Sequence, residues 1–357
     1  MALSVLSFLL VLPGCTSLSG GAAQSRQSPS SAPQASGLSE SPSSAASSAA
    51  LCAWAGGEGG IFATTDGGET WQRQYSSSDA VVNGLSFSDS THGWAAGSDG
   101  LLLSTTDGGV TWQDRSLGEQ SAPYAWLVGV ACVDAQHVWV VGEHTYATSD
   151  GGDSWMQRHS QENLAVAADE AGRVWVAGGT TLVRSSDGGA TWADVYPDGC
   201  RATLLDVTTR GREVYVVSST ASPTPKPVML ASSNGGETWT TRTLATWGTA
   251  DGVATSSTSH AWAISEGRTV TSRDGGGHWD IGWILGSRSA SSDYCLNGIA
   301  FGDHLHGWAV GERVDAAGDL RGVVFATTDG GTTWRLQAVL PASMHLNTVT
   351  CCPFQDR

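Results

Sequence analysis

An eight-residue phrase recurs seven times along the chain and constrains its fold more than any other feature. The copies are TTDGGETW from Thr64, TTDGGVTW from Thr105, TSDGGDSW from Thr148, SSDGGATW from Ser185, SSNGGETW from Ser232, SRDGGGHW from Ser272 and TTDGGTTW from Thr327. A period of roughly 40 residues carrying turn and strand signals is how a β-propeller blade reads in sequence. Seven phrases therefore predict an all-β, seven-bladed propeller over residues 51–357.

The phrase ends a longer unit, seen most plainly from Leu296 onward. LNGIAF, HGWAVG, GVVFATT and TWRLQAV are four short apolar strands joined by Gly, Asp and Ser turns, the pattern of one four-stranded antiparallel blade. We label these strands a to d from the axis outward. The second strand recurs from Cys52, His92, His137, Arg173, Glu213, His260 and His306, and the first from Asn83, Leu127, Leu164, Leu204, Asp251, Leu296 and Leu346. The last strand a has no strand b after it, and the first strand b has no strand a before it. An open ring would leave two bare sheet edges; if Leu346–Cys351 joins the blade that begins at Leu51, the ring closes.

That shared blade brings Cys52 and Cys352 to opposite sides of its a–b turn, within reach of a disulfide in an oxidising compartment. Cys52 with Cys351 is the alternative. Cys132, Cys200 and Cys295 have no assignable pairing, because six cysteines allow 15 connectivities. CxxC spacing is absent, so no metal and no cofactor is expected.

Before the repeats, MALSVLSFLLVLPG leads into Cys15 with an apolar run of signal-peptide length, too short to span a bilayer. Leu12-Pro13-Gly14-Cys15 is similar to a bacterial lipobox, which makes Cys15 a candidate for lipidation at the end of a 1–15 signal segment. Residues 16–50 are Ser, Ala, Pro, Gln and Gly with almost no large apolar side chain, a composition that cannot offset its ordering entropy and reads as a tether. The expected location is extracytoplasmic, lipid-anchored to the membrane, with plain secretion as the alternative. With 34 acidic against 18 basic residues and a formal charge of -16, the chain lacks the positive clusters that nucleic acid or an anionic lipid surface requires. Membrane contact is expected through the anchor alone.

Within the phrase, Asp66, Asp107, Asp150, Asp187, Asp274 and Asp329 are expected to accept backbone amides of their own turns, while the glycines supply backbone angles closed to other residues. Asn234 takes the Asp position in one copy, which fits a turn brace and not a carboxylate base. Trp71, Trp112, Trp155, Trp192, Trp239, Trp279 and Trp334 are expected in strand d with their rings packed between blades. A catalytic acid needs one singular environment, and a seven-fold turn offers seven similar ones. No catalytic residue is assigned.

Strand direction puts the phrase on the a–b face and the b–c and d–a connections on the other. Irregular lengths gather on that second face: SSTASPTPKPV (Ser218–Val228), ERVDAAGDLR (Glu312–Arg321) and ILGSRSASSDYC (Ile284–Cys295). Variable loops on a rigid frame are where binding usually sits. The candidate binding residues are Glu143, His144, Trp126, Arg201, Trp247, Arg268, Arg288, Tyr294, Glu312 and Arg313. The partner they are expected to meet is a protein, with a glycan as the other possibility.

The joint pattern LNxIxFxDxxHGWAVG followed by TTDGGTTW resembles the photosystem II assembly and stability factor family of Asp-box propellers, over about Leu51 to Cys352. That resemblance implies a non-enzymatic assembly scaffold that binds another protein. Competing classes are a carbohydrate or cell-wall binding module using exposed Trp126, Trp247 and Trp283, and, on fewer grounds, a sialidase or another glycoside hydrolase. Sialidases need an arginine triad whose usual motif is absent, and the xyloglucan-cleaving enzymes place their acids between two propellers.

Overall fold

The computed structural model describes residues 51–352, apart from 116, 118–125, 199–201, 221–223, 245–247, 266, 285–293 and 343. The chain divides into two units, Met1–Ala49 and Ala50–Arg357; the signal segment, Cys15 and the 16–50 tether lie outside the described residues.

Seven four-stranded antiparallel sheets form the described unit, each with its strands in the order a, b, c, d. Strand a of every blade lies against strand a of the next, from blade 1 through blade 7 and back to blade 1. The fold is the expected seven-bladed propeller. Blade 1 takes its strand a from the C-terminus: Leu346–Cys351 pairs with Ala53–Gly57, Ala53 opposite Cys351 and Gly57 opposite Leu346, and Gly60–Thr64 and Gln72–Tyr75 complete the sheet. A disulfide joins Cys52 to Cys352 at the phrase end of this ladder, with Cα atoms 5.5 Å apart, and the Cys352 amide donates to the Cys52 carbonyl. Cys295 is disulfide-bonded as well, whereas Cys132 and Cys351 are free thiols.

Strand b carries the core. In blade 1 its five residues are all buried, and side-chain alternation sends Trp54 into the space between blades 1 and 2 and Ala53 and Ala55 into the space between blades 7 and 1. Feeding two cores from one strand explains why strand b reads as an unbroken apolar run without polar alternation. Among the described residues the buried apolar side chains fall into seven clusters, one for each blade interface.

Two expectations need correction. The phrase tryptophans do pack at the seven blade interfaces, but they stand immediately before strand d, as Trp71 does before Gln72–Tyr75, and of the seven only Trp155 and Trp334 are buried. The deepest indoles belong to strand b: Trp54, Trp175, Trp262 and Trp308 are 0–2% exposed, as is Tyr215 in the same strand of blade 5. Strand b is enclosed on both faces, whereas the phrase lies at the outer rim. The second correction concerns the insertions after strand b. In blade 7 the ladder continues through Glu312 opposite Gly322, Arg313 opposite Arg321 and Val314 opposite Leu320, so Gly307–Val314 and Leu320–Thr327 form one tall hairpin. In blade 5, Ser218 opposite Val228 and Ser219 opposite Pro227 extend Glu213–Thr220 and Pro227–Ser232 likewise. Proline is tolerated there because it stands first in its strand.

Candidate functional site

The phrase turns are self-contained. Asp66 accepts the Thr70 amide at 3.0 Å, the Thr70 hydroxyl at 2.6 Å and the Thr64 hydroxyl at 2.7 Å, while the Thr64 oxygen accepts the Gly68 amide at 2.8 Å. The same bonds recur around Asp107, Asp150, Asp187 and Asp329. At Asp274, His278 replaces the Thr, its amide and ring nitrogen both bonding the carboxylate. Gly67 and Gly68 have φ of 76° and 91°, left-handed values repeated at each phrase, where a β-carbon would clash with the backbone. These hydrogen bonds favour the ionised acid: the Ser154 hydroxyl foremost holds Asp150 down at about 2, the Thr191 hydroxyl does the same for Asp187, and the His278 amide for Asp274. A carboxylate that is ionised and fully engaged by its own turn cannot deliver a proton near neutrality. Asn234 keeps the geometry, accepting the Thr238 amide through its oxygen and donating to the Thr238 hydroxyl through its nitrogen.

What the phrase does is fasten blades. The strand b indole of one blade donates to a phrase glycine carbonyl of the next, Trp54 to Gly108 at 3.0 Å, Trp175 to Gly235 at 3.3 Å and Trp262 to Gly330 at 2.9 Å. At the closing interface the donor is instead Gln337 Nε2, which reaches the Gly67 carbonyl at 3.0 Å. The phrase tryptophans meet strand a or strand b rings edge-on, as Trp155 meets Trp94 and Trp334 meets Phe301.

The axis has its own fastenings, which reading the sequence missed. In blades 1, 2 and 7 strand a carries a bulge whose extra residue is asparagine. Asn297 Nδ2 donates to the Leu346 carbonyl, Asn347 Nδ2 to the Val82 carbonyl and Asn83 Nδ2 to the Leu127 carbonyl, stitching blades 7, 1, 2 and 3 in sequence. Blade 5 places Asp206 where the strand a of blades 2, 3, 6 and 7 has glycine. Its carboxylate accepts the Val253 amide of blade 6 at 2.9 Å and its neighbour Val207 at 2.8 Å. Burial pushes the acid up to about 7 even though both amides pull it down. The signal was available as an Asp breaking a glycine column, but it is legible only once the strands are in register.

Among the described residues, the candidate binding residues lie on blades 3, 6 and 7. Glu143 and His144 form the b–c turn of blade 3, and Trp126, 55% exposed, runs beneath it with its carbonyl against Gly142. Across the ring, Tyr294 pairs with Arg313 and Glu312 with Cys295 in blade 7, with the Arg313 guanidinium 3.4 Å from the Tyr294 hydroxyl. Arg268 of blade 6 lies over the Trp283 ring at 4.8 Å. Arg201, Trp247 and Arg288 lie outside the described residues. Among the described residues no group of His, Cys, Asp and Glu is placed to hold a metal ion. The strand b histidines brace turns: His92, His137 and His306 each bond an Asp three residues earlier, and His260 bonds Ser257 and Ser259.

Residues 77–165, spanning the repeat from blade 2 into blade 4, match the profile of the family described as Photosynthesis system II assembly factor YCF48. No curated protein matches the chain in sequence. Among solved structures, YCF48 from Cyanidioschyzon merolae is similar at 19% identity, over 72% of this chain and 85% of that one, with a TM-score of 0.54. YCF48 bound to a D1 peptide is similar at 16% identity, over 79% of this chain and 92% of that one, also at 0.54. At these identities the shared property is the fold. Phrase, ring closure and profile together make this chain a seven-bladed Asp-box propeller whose residues 77–165 are similar to the photosystem II assembly factor family.

Proposed function

We propose that the chain is a non-enzymatic scaffold that binds a protein partner, held outside the cytoplasm by a lipid on Cys15. The observation that carries the protein-binding reading is the profile match over residues 77–165, in company with a propeller of similar fold that has been solved with a peptide bound. Support for a non-enzymatic role comes from the phrase carboxylates, each engaged by its own turn. Trp126, exposed beside Glu143 and His144, favours a second reading, a glycan platform, because an exposed aromatic face beside polar groups suits a sugar ring.

A photo-crosslinking residue placed in turn at positions 126, 144 and 312 in living cells tests the first reading. The expected result is one discrete protein adduct from at least one position. Turnover of a sialoside or glucan panel, abolished by a single acidic substitution, would sink it. For the anchor, Cys15→Ser is expected to move the protein from the membrane to the soluble extracytoplasmic fraction; unchanged membrane retention would refute lipidation.

A further inference from the structure

The outermost strand of a propeller blade is an unpaired sheet edge, and natural proteins keep such edges short or charged. Six blades here obey that rule. Their strands d are Gln72–Tyr75, Gln113–Asp114, Met156–His159, Ala193–Asp194, Thr240–Thr243 and Asp280–Trp283, two to four residues each and largely polar. Blade 7 departs from it. Its strand d runs for eight residues, Arg335–Ala342, with the sequence RLQAVLPA, a single charge and a bulge at Gln337, and among the described residues it stands last in its sheet.

This edge is held from both sides. Leu336 packs into the core between blades 6 and 7, Leu340 is buried between blades 7 and 1, and Gln337 is tied to Gly67. A strand fixed in this way adds little ordering cost when it is paired. Resting on the reading of the chain as a protein-binding scaffold, we propose that Arg335–Ala342 takes up an extended segment of the partner protein as a fifth strand of blade 7. Only an extended main chain matches the outward amides and carbonyls on either side of that bulge, and its side chains then set specificity. Pro341 has no amide to offer and ends the row.

The charge pattern names the segment further. Arg335 is exposed at the start of the strand and Val339 is 39% exposed towards its end. A segment running antiparallel brings its C-terminal end to Arg335, so it carries a carboxylate there and an apolar residue beside Val339. A second copy of this chain is disfavoured as the occupant, since two bodies of formal charge -16 repel.

The probe is a displayed random octapeptide library panned against the full chain, the selected peptides then being resynthesised with each amide N-methylated in turn. Methylation of the amides that face strand d is expected to weaken binding at least tenfold and of those that face away less than twofold. Val339→Lys and Arg335→Glu are expected to weaken it at least fivefold, whereas Val110→Lys, on the exposed phrase of blade 2, leaves it unchanged; unaltered thermal unfolding shows that the variants fold. Binding equally affected by methylation at every amide, binding indifferent to Val339→Lys, or no selected peptide at all overturns the proposal. So does concentration-dependent dimerisation that Val339→Lys abolishes. If a cellular adduct forms but survives Val339→Lys, the scaffold reading stands and the edge proposal alone falls; if no position yields an adduct, the scaffold reading falls first.

Discussion

Removing the Cys52–Cys352 bond tests the closed ring most directly. The two cysteines are 300 residues apart in sequence, so the bond constrains almost the whole folded chain once it is denatured. With that loop length, chain-entropy arithmetic gives about 5.7 kcal/mol at 25 °C, above the roughly 2 to 5 kcal/mol that native disulfides contribute. The native state loses little in Cys52→Ala/Cys352→Ala, because the ladder from Ala53 to Gly57 against Leu346–Cys351 and the core between blades 7 and 1 remain. Residual structure in the denatured chain lowers the measurable value, so the expected loss is about 3 to 5 kcal/mol. Guanidinium unfolding followed by tryptophan fluorescence reads it as a lower midpoint, with a steeper slope because the uncrosslinked chain exposes more surface. A circular permutant that links the native ends and opens elsewhere, leaving about 15 residues between the two cysteines, cuts the contribution of the bond to about 3 kcal/mol. A loss below about 1 kcal/mol in the unpermuted chain, or an equal loss in the permutant, would refute the assignment of the effect to loop closure.

Asp206 carries a pH dependence of definite sign. Its folded value of about 7 lies above the unfolded 3.8, so the native state holds a proton the unfolded state has released, and stability falls as pH rises from about 4 to 7. Asp206→Asn keeps an acceptor for the Val253 amide and is expected to flatten that slope and gain about 2 kcal/mol at pH 8; urea midpoints between pH 5 and 8 that fall equally in both proteins would contradict it. Trp262→Ala, which empties a fully buried site and orphans the Gly330 carbonyl, is expected to cost about 3 to 5 kcal/mol in the same assay, and a cost near zero would mean that strand b does not carry the core. Gly57→Ala places a methyl 2.0 Å from the His345 carbonyl oxygen, forces the closing strand outward and is expected to expose the blade 1 edge to protease; an unchanged digestion pattern would count against the shared-blade geometry.

The blade count and the closure were legible because each blade solves the same local problem with the same residues. An Asp-Gly-Gly turn declares itself wherever it falls, and a strand a without its strand b, at Leu346, can only belong to the blade that lacks one. The depth of the tryptophans was not legible. Trp71 and Trp54 look alike in composition, and only the neighbour on each face of strand b decides which ring is enclosed. The inserts at Ser218 and Glu312 read as loops because Ser, Pro, Asp and Gly are turn formers, yet cross-strand pairing overrode that local preference. The candidate binding residues were chosen by face, and a face of a seven-membered ring is wide enough to hold Trp126 and Arg313 far from one another. Asp206 escaped because its meaning lies in what the other blades have at its position.

The blade shared between the two ends imposes an order on biogenesis. Ala53–Gly57 leaves the ribosome 289 residues before Leu346, the start of the strand it needs. At about 5 to 20 residues per second that is a wait of roughly 15 to 60 seconds with one sheet edge bare. No nascent chain that stops short of Leu346–Cys351 holds a finished ring, so the blades before it stay open at one edge until that strand is made. A product truncated before Leu346 keeps that edge bare and open to proteolysis, which makes Leu346–Cys351 a check that the ring is closed.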